Sequence, residues 1–481
     1  MPFHPRSRAR APCPGVSPNS IPKASRHGSP SDHPRLTPFA PHAISSPTTN
    51  LRTNSCLKII ETRDPIVPSP ERDLIMNNTP IKKSTLLTMA ASILAITSPV
   101  VAGEKLKIFI LAGQSNMVGH ANSHTLATLY HSDDARDKRL RQLVFKKGSG
   151  LSGKALEEQL TQAGKIDELT GGISNDKIKA MSEGAGKTAL EAEVKKLKDA
   201  HEAYKENVIS SCVVSDRVYI NSIADGNRKA GKLGVGYGGG DKKLGPEFGF
   251  GLSIAEKTDG PILLIKTSWG GKSINYDFRP PSADDYELNE KQKSGDKVEE
   301  IRKNAGLNWR MMNEAIREVL ANLKDNHPAY DSDAGHEMAG FVWFQGFNDQ
   351  FSDEFRNNYR DMMVHFIKDV RKEYDTPEMP FVIGVLGTNR TRESVDKNAV
   401  SVAQREAAKA PEFKDNVLSV ESYKDYSLFS HEIYSKGWPK HYHEWDTVGS
   451  DRPYHYLGSG AFFARLGDSF ATAMAELMAK Q

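Results

Sequence analysis

Short apolar runs rich in β-branched residues recur along the chain and alternate with stretches of helical periodicity. The runs that predict strands are residues 106–111, 218–223, 262–265, 341–344, 381–386 and 417–420. Apolar positions 309, 312, 316, 319, 320 and 323 fall on one helix face, and residues 353–373 and 459–478 repeat that spacing. This alternation predicts an α/β fold in which a parallel sheet is covered by helices on both faces.

Residues 155–206 interrupt the alternation. They are rich in Lys, Glu and Ala, and their first aromatic residue is Tyr204. We interpret them as a charged helical insertion between the first two strands, exposed to solvent. Whether the insertion also covers a substrate is left open by the sequence.

The amino-terminal part differs from the rest in composition. Residues 1–75 hold 14 of the 26 prolines and neither Trp nor Tyr. Such a segment buries too little apolar surface to offset its chain entropy, which predicts disorder. Residues 76–102 then show a basic head at Lys82 and Lys83, an apolar stretch over 86–96, and small residues before a cleavage point after Ala102.

That layout is typical of a secretory signal peptide, and its apolar stretch is too short for a membrane span. We therefore expect the start at Met76, with residues 1–75 as upstream sequence, and a secreted or periplasmic bacterial protein of residues 103–481. The alternative is a disordered tail before a single anchor helix. No membrane integration is expected after cleavage.

Charge and cysteine content narrow the class of protein. The 64 Lys and Arg residues nearly balance the 61 Asp and Glu residues, so nothing favours nucleic acid as a partner. After Ala102 only Cys212 remains, so no intramolecular disulfide is expected within residues 103–481. The oligomeric state does not follow from the sequence.

Three segments resemble known binding or catalytic motifs but lack the neighbouring residues or elements that these motifs require. The glycines of residues 234–239 have dinucleotide-binding spacing but lead into a Lys/Gly/Pro loop instead of a helix. Residues 186–188 resemble a phosphate-binding loop, yet the position of its first glycine is Met181. The serine-hydrolase elbow is also absent, because Met117 stands two residues after Ser115.

Four other segments stand where a strand ends or a helix begins. They are residues 113–117 (Gly-Gln-Ser-Asn-Met), 268–273 (Ser-Trp-Gly-Gly-Lys-Ser), 343–349 (Trp-Phe-Gln-Gly-Phe-Asn-Asp) and 451–458 (Asp-Arg-Pro-Tyr-His-Tyr-Leu-Gly). In a parallel sheet these positions share one rim. A serine, backbone glycines, a side-chain amide and a histidine preceded by aspartate are the groups that acyl transfer requires.

With these segments the chain resembles the SGNH hydrolase superfamily, and within it the sialate O-acetylesterase and acetylxylan esterase branch (carbohydrate esterase family 6). That branch carries Gly-Gln-Ser-Asn-Met and a Trp-x-Gln-Gly-x-x-Asp segment, both present here. The resemblance spans about residues 105–475, with a poor match over 155–206. It implies a flavodoxin-like sandwich of about five parallel strands and de-O-acetylation of a carbohydrate without metal or cofactor.

The resemblance also assigns roles. Ser115 is the expected nucleophile, His455 the general base, and Asp451 the carboxylate that orients His455. The expected oxyanion donors are the N–H groups of Ser115 and of Gly271 or Gly270, completed by a side-chain amide.

For that amide we prefer Asn348, with Gln345 as a neighbour that shapes the site. Asn348 and Asp349 have a plainer interpretation as caps of the helix that begins near Asp353. Gln114 is a further candidate for substrate contact.

One departure from the superfamily pattern concerns the aspartate. Related enzymes place it three residues before the histidine, where this chain has Arg452. Asp451 lies four residues before His455, so the turn must hold an extra residue, or another aspartate such as Asp446 takes the role. A serine–histidine dyad supported by a backbone carbonyl is the remaining alternative.

Other residues allow weaker interpretations. His441, His443, Glu444 and Asp446 resemble metal ligands, but without a second matched cluster we expect no metal site. Trp438 and Trp445 precede His455 and are candidates for stacking on a sugar ring. The leading hypothesis is a secreted serine esterase that deacetylates xylan or sialic-acid-type glycans. The alternatives are an inactive carbohydrate-binding protein on the same fold and a thioesterase or lipase-type hydrolase.

Overall fold

The computed structural model describes residues 103–481; the segments expected to be disordered or a signal peptide, 1–75 and 76–102, lie outside it. The strands are β1 (Leu106–Gly113), β2 (Ala121–Asn122), β3 (Val218–Ala224), β4 (Asn227–Lys232), β5 (Lys243–Leu244), β6 (Ile262–Ser268), β7 (His336–Phe344), β8 (Phe381–Val385) and β9 (Val417–Glu421). Seven of them form one sheet in the order β4-β3-β6-β1-β7-β8-β9, and β2 pairs with β5.

Sixteen α-helices are described in residues 103–481. They are α1 (Ser115–Val118), α2 (Ala135–Val144), α3 (Gly153–Thr170), α4 (Asp176–Lys179), α5 (Ala185–Ser210), α6 (Pro246–Ala255), α7 (Glu290–Lys293), α8 (Val298–Asn304), α9 (Leu307–Leu320), α10 (Leu323–Asn326), α11 (Asp353–Glu373), α12 (Arg392–Asp396), α13 (Ala399–Ala408), α14 (Leu428–Ser435), α15 (Tyr442–Val448) and α16 (Gly460–Met478). Short 3₁₀ turns cover Ser123–His131, Asp349–Phe351, Pro411–Phe413, Ser422–Asp425 and Pro453–Gly458. None of the helices in the described part of the chain has the length and apolar character needed to cross a membrane.

Two apolar layers hold the sheet between helices. Alternate residues of β1 face opposite sides, with Phe109 in the layer beneath α6 and α16, and Ile108 in the layer beneath α9, α11 and α13. In the seven-stranded sheet all strands run parallel except β4, which forms an antiparallel hairpin with β3. The predicted α/β/α fold is therefore confirmed.

The sheet is larger than the expected five strands. Six strands are parallel, and the seventh, β4, has the sequence Asn-Arg-Lys-Ala-Gly-Lys. Five of its six residues are exposed, so it has no apolar alternation by which a sequence pattern could predict it. An edge strand rich in charge is also protected against pairing with another chain.

The chain order of the strands defines where a site can form. From β1 the chain builds the sheet on one side through β3 and β6, then crosses to the other side of β1 with β7. The carboxyl ends of β6, β1 and β7 thus meet where the order reverses. In open α/β sheets this switch point is where ligands bind.

The segment between β1 and β3 is helical over much of its length. Helices α3 and α5 pack on each other, and a buried hydrogen bond of 2.6 Å joins Gln159 Nε2 to His201 Nδ1 across them. The Asp167 carboxylate of α3 accepts from the N–H groups of His443 and Glu444 at the start of α15. The helices of this segment therefore brace the helix that precedes the His455 loop.

Candidate active site

Ser115 is placed by the register of β1. Gly113 pairs with Ser268 of β6 and with Phe344 of β7, so the segments that follow all three strands lie side by side. A Cβ atom on Gly113 would stand 2.1 Å from the Phe344 carbonyl oxygen, which requires glycine here. Ser115 then begins the single turn of α1 with 9% of its surface exposed.

A buried ion pair supports that turn from below. Lys266 Nζ donates to the Val118 carbonyl at the end of α1 (2.8 Å) and to Glu247 Oε2 (2.7 Å). Both charged side chains are fully buried, and the second Glu247 oxygen accepts from the Gly245 N–H. With these hydrogen bonds satisfied, the pair fixes the position of α1 relative to β6.

Two backbone donors are free to face an oxyanion. Within residues 103–481 neither the Ser115 N–H nor the Gly271 N–H donates a hydrogen bond. The Gly270 N–H, in contrast, donates to Asp225 Oδ1 at 2.6 Å. Gly271 adopts a left-handed conformation with φ +70°. Of the two predicted alternatives, the geometry thus favours Gly271 over Gly270 as a donor.

The two candidate amides, those of Gln345 and Asn348, differ in their hydrogen bonds. Gln345 Nε2 donates to Asp349 Oδ2 (2.5 Å) and to the Lys272 carbonyl (2.8 Å), and Gln345 Oε1 accepts from Tyr359 (3.0 Å). No side-chain hydrogen bond of Asn348 is found among the described residues, while its N–H lies 3.4 Å from Gln114 Oε1. The Asn348 amide is therefore available for a ligand, whereas the Gln345 amide holds the loop together.

Asp349 anchors this loop. Its carboxylate is fully buried and accepts from the N–H groups of Ile274 and Asn275, from the Asn275 side chain and from Gln345. Burial raises the pKa of Asp349 to about 6, although these donors act in the opposite direction.

The cap of α11 is Ser352, whose hydroxyl accepts from the Phe355 N–H. The interpretation of Asn348 and Asp349 as caps of that helix is therefore wrong.

Gln114 lies beneath this loop. It is 1% exposed, and its Oε1 also accepts from Gln345 Nε2 at 3.3 Å. The Gln114 Nε2 atom is buried and has no partner among the described residues. Its placement suits the support of Gln345 and Asn348 better than contact with a bulky substrate.

His455 lies beside Asp451. The distance from His455 Nδ1 to Asp451 Oδ1 is 3.2 Å, but the ring N–H does not point at the oxygen closely enough for a good hydrogen bond. Burial acts to raise the pKa of Asp451, but the His455 ring and the Arg452 N–H outweigh it and lower that pKa. The side chains are 15% and 20% exposed, so this pair is partly accessible to solvent.

The loop around His455 holds an unusual backbone. Tyr456 and Leu457 have φ values of +50° and +65°, a region that bulky residues rarely adopt. The Leu457 carbonyl accepts from the N–H groups of Ser450 and Asp451 and closes the loop on itself. In this way the extra residue in the turn is accommodated and Asp451 is brought next to His455.

One hydrogen bond joins the Ser115 segment to the His455 loop. Asn116, next to Ser115, donates from Nδ2 to the Tyr454 carbonyl (3.2 Å), next to His455. Tyr456 is held from the other side, because its hydroxyl accepts from the Gly387 N–H at 3.0 Å.

His120 is a site residue that the sequence analysis missed. Its ring stacks on His455 with centroids 4.2 Å apart and planes 5° from parallel. Its Nδ1 lies 3.6 Å from Asp451 Oδ2, so one carboxylate faces two imidazoles. Burial, followed by the neighbouring His455, lowers the pKa of His120 to about 4. The available signal was a histidine five residues after the candidate nucleophile, on the same rim.

Asp225 and Lys266 were also missed. Asp225 forms the tip of the β3–β4 hairpin and accepts from the Gly270 N–H, beside the candidate oxyanion donors. Lys266 could have been noticed as a single charge inside the apolar run of β6, where burial requires a partner such as Glu247.

Three predicted candidates lie elsewhere. Asp446 Oδ2 is bonded to Lys205 (2.8 Å) and faces His201 (3.3 Å) instead of His455. Trp445 is 4% exposed, with its ring pressed against Gly449 and Tyr434, and so has no free face for a sugar. Trp438 is partly exposed, but the Arg452 guanidinium covers its ring at 4.1 Å.

Two groups of side chains in the described residues bring three possible metal ligands together. His120, Asp451 and His455 form one, and His201, Glu202 and Asp446 form the other. In the second group the Asp446 oxygen is already bonded to the Lys205 ammonium, which disfavours a cation. In the first, a metal ion would coordinate a ring nitrogen of His455, the residue that a serine esterase needs as a general base.

One comparison with known proteins finds a related family. Residues 234–425 match the family described as "Carbohydrate esterase, sialic acid-specific acetylesterase". The match confirms the resemblance to the sialate O-acetylesterase branch and includes Gly271, Gln345 and Asn348. Ser115 and His455 lie outside the matched residues. No curated protein matches the chain.

Three solved structures are similar at low identity. An Arabidopsis thaliana protein shares 14% identity over 77% of this chain and 98% of its own, with a TM-score of 0.37. XAC1771, titled a novel carbohydrate acetylesterase from Xanthomonas citri, shares 12% identity over 66% of this chain and 49% of its own (TM-score 0.30). NanS shares 9% over 67% and 79%, respectively (TM-score 0.30). At these values the structures bear on neither activity nor substrate.

Proposed function

We propose that the protein is a serine esterase that removes O-acetyl groups from carbohydrates through an acyl-enzyme intermediate. The observation that carries the proposal is that the candidate catalytic groups lie together at the switch point of the sheet. Ser115, the Gly271 N–H and the Asn348 amide stand on the ends of β1, β6 and β7, and the Asp451–His455 pair is tied to them through Asn116.

In the proposed mechanism the Ser115 hydroxyl oxygen attacks the acetyl carbonyl carbon while His455 takes its proton. The negative charge that develops on the carbonyl oxygen is stabilised by the N–H groups of Ser115 and Gly271 and by Asn348. The bond to the sugar oxygen breaks, and protonated His455 returns the proton to that oxygen. Water, activated by His455, then hydrolyses the acetyl-serine and releases acetate.

Asp451 would hold the His455 ring in position and stabilise its protonated form. Its lowered pKa means that it carries a negative charge at neutral pH, as this role requires. We further propose export of the protein after removal of residues 76–102. Amino-terminal sequencing of exported material tests this, and a start within residues 1–75 would contradict it.

The test of the function is acetate release from acetylated xylan, O-acetylated sialate and acetylated pectin. We expect release from at least one of these and loss of nearly all turnover in Ser115→Ala. The fold of that variant should be kept, because the Ser115 hydroxyl makes no hydrogen bond within the described residues. An organophosphate should label Ser115; labelling of a different serine refutes the assignment. Binding of glycan without turnover would instead support the inactive binding protein.

A further inference from the structure

Three aromatic side chains form a continuous row that begins at His455. The Tyr454 ring lies 4.5 Å from the His455 ring, Phe347 lies 5.8 Å from Tyr454, and Phe351 lies 5.2 Å from Phe347. We call these three residues, Phe347, Tyr454 and Phe351, the aromatic row. It meets the candidate centre twice, because Tyr454 precedes His455 and Phe347 precedes Asn348.

The row is exposed to an extent that folding does not explain. Phe351 is 70% exposed and Tyr454 is 44% exposed. Burial of such a side chain is favourable, and the folded chain forgoes that contribution here. Single exposed apolar residues are ordinary, but neighbouring ones beside a site indicate a binding surface.

The backbone beneath Phe351 is held firmly. Asp349, two residues earlier, is buried with four donors, and the Gln350 carbonyl accepts from Arg356 at 2.5 Å. The Gln350 side chain accepts from Asn398 Nδ2 at 3.1 Å, and Ser352 caps α11 directly afterwards. The backbone of Phe351 is therefore fixed, so binding to its side chain requires little ordering of the turn.

We infer that the aromatic row binds the sugar rings adjacent to the acetylated sugar, in an oligosaccharide or polysaccharide substrate. This inference rests on the proposed function. The C–H face of a pyranose ring carries partial positive charge and packs on the negative face of an aromatic ring. Continuity with His455 and Asn348 puts such rings next to the ester that is cleaved. The enzyme then prefers an acetylated chain over an acetylated monosaccharide.

The test compares two substrates, acetylated xylo-oligosaccharide and 4-nitrophenyl acetate, in one preparation. Phe351→Ala should lower the ratio of the two kcat/KM values roughly tenfold, mainly through a higher KM for the oligosaccharide. Phe351→Trp should restore the ratio. The matched control is Leu428→Ala, since Leu428 is 69% exposed and outside the row, and it should leave the ratio unchanged.

An unchanged ratio in Phe351→Ala overturns the inference, whether the two kcat/KM values stay the same or fall equally. If the unaltered enzyme hydrolyses neither 4-nitrophenyl acetate nor any of the acetylated xylan, sialate and pectin substrates, the proposed function fails instead. In that case the test of the aromatic row is the affinity for deacetylated xylo-oligosaccharide, measured by titration of the single variant Ser115→Ala and of the double variant Ser115→Ala, Phe351→Ala. Weaker binding in the double variant supports the row. A concentration-dependent dimer that Phe351→Ala abolishes would assign the surface to a second copy of the chain and overturn the inference.

Discussion

The two halves of the candidate site are built in different ways. The serine half contains Ser115, Gln345, Asn348 and Asp349 on the ends of sheet strands, and its supporting polar groups are almost fully buried. The histidine half consists of His120, Asp451 and His455 on loops, with side chains 15–20% exposed. Each half contains one important aspartate, so Asp349 and Asp451 offer a direct comparison.

The comparison separates stability from chemistry. Asp349 accepts hydrogen bonds from several buried donors and contacts no candidate reacting group. Asp451 accepts one backbone hydrogen bond, from the Arg452 N–H, and otherwise faces two imidazoles. A carboxylate in the first environment holds the backbone, whereas one in the second can respond when a neighbouring ring changes its charge.

The largest effect is expected from the two aspartates. Asp451→Asn should lower kcat by roughly 10³–10⁴ because the amide no longer stabilises protonated His455. The free energy of unfolding should change little. Asp349→Ala should instead lower that free energy by roughly 3–5 kcal/mol, since several buried donors lose their acceptor. Steady-state kinetics and urea unfolding of both variants provide the measurement.

Asp446→Asn serves as the control for Asp451, since Asp446 was the alternative partner of His455. It should leave kcat nearly unchanged in the folded protein, because Asp446 is bonded to Lys205. A near-neutral Asp451→Asn would show that His455 works in a dyad. A large loss of stability in Asp451→Asn would remove the contrast between the two halves.

The sequence predicted much of the serine half and less of the histidine half, for a physical reason. Apolar runs set the strand ends, and strand ends of a parallel sheet share a rim, so Ser115 and Asn348 could be placed before the structure was known. The position of Asp451 depends on left-handed backbone at Tyr456 and Leu457. No periodic pattern signals that conformation in bulky residues.

The burial or exposure of individual aromatic side chains could also not be predicted from the sequence. Trp445 was a candidate for sugar stacking, yet it lies against Gly449 on the inner side of α15. Phe351, which no pattern singled out, is exposed because its turn is fixed by Asp349 and Gln350. Exposure follows from tertiary packing, which the residue type alone does not determine.

A smaller effect on turnover is expected within the serine half. Asn348→Ala should lower kcat by roughly 10²–10³, since its amide is free to face the charge that develops in the transition state. KM should stay within a few-fold, because the interaction strengthens only in the transition state. Gln345→Ala is the paired variant and should act mainly on unfolding, with a smaller fall in kcat. Reversed results would give the oxyanion role to Gln345.

The smallest effect is expected from His120, which contacts both other members of the histidine half, Asp451 and His455. Loss of its stacking on His455 in His120→Ala should lower kcat roughly threefold to tenfold at pH 7. His131→Ala, which removes a ring stacked on Phe429 instead, is the control and should leave kcat unchanged.

The stability of the same variant should also depend differently on pH. The folded-state pKa of His120 is about 4, below its usual 6.5, so the unfolded chain takes up this proton first as the pH falls. His120 should therefore destabilise the wild-type protein as the pH falls from 6.5 to 4, and His120→Ala should lose less stability over that interval, by on the order of 1 kcal/mol. Both proteins keep the contribution of His124, whose pKa burial also lowers to about 4, and the opposite contribution of Asp349, whose pKa burial raises to about 6. Parallel pH profiles of unfolding in the two proteins would show that His120 is not held neutral in the folded protein.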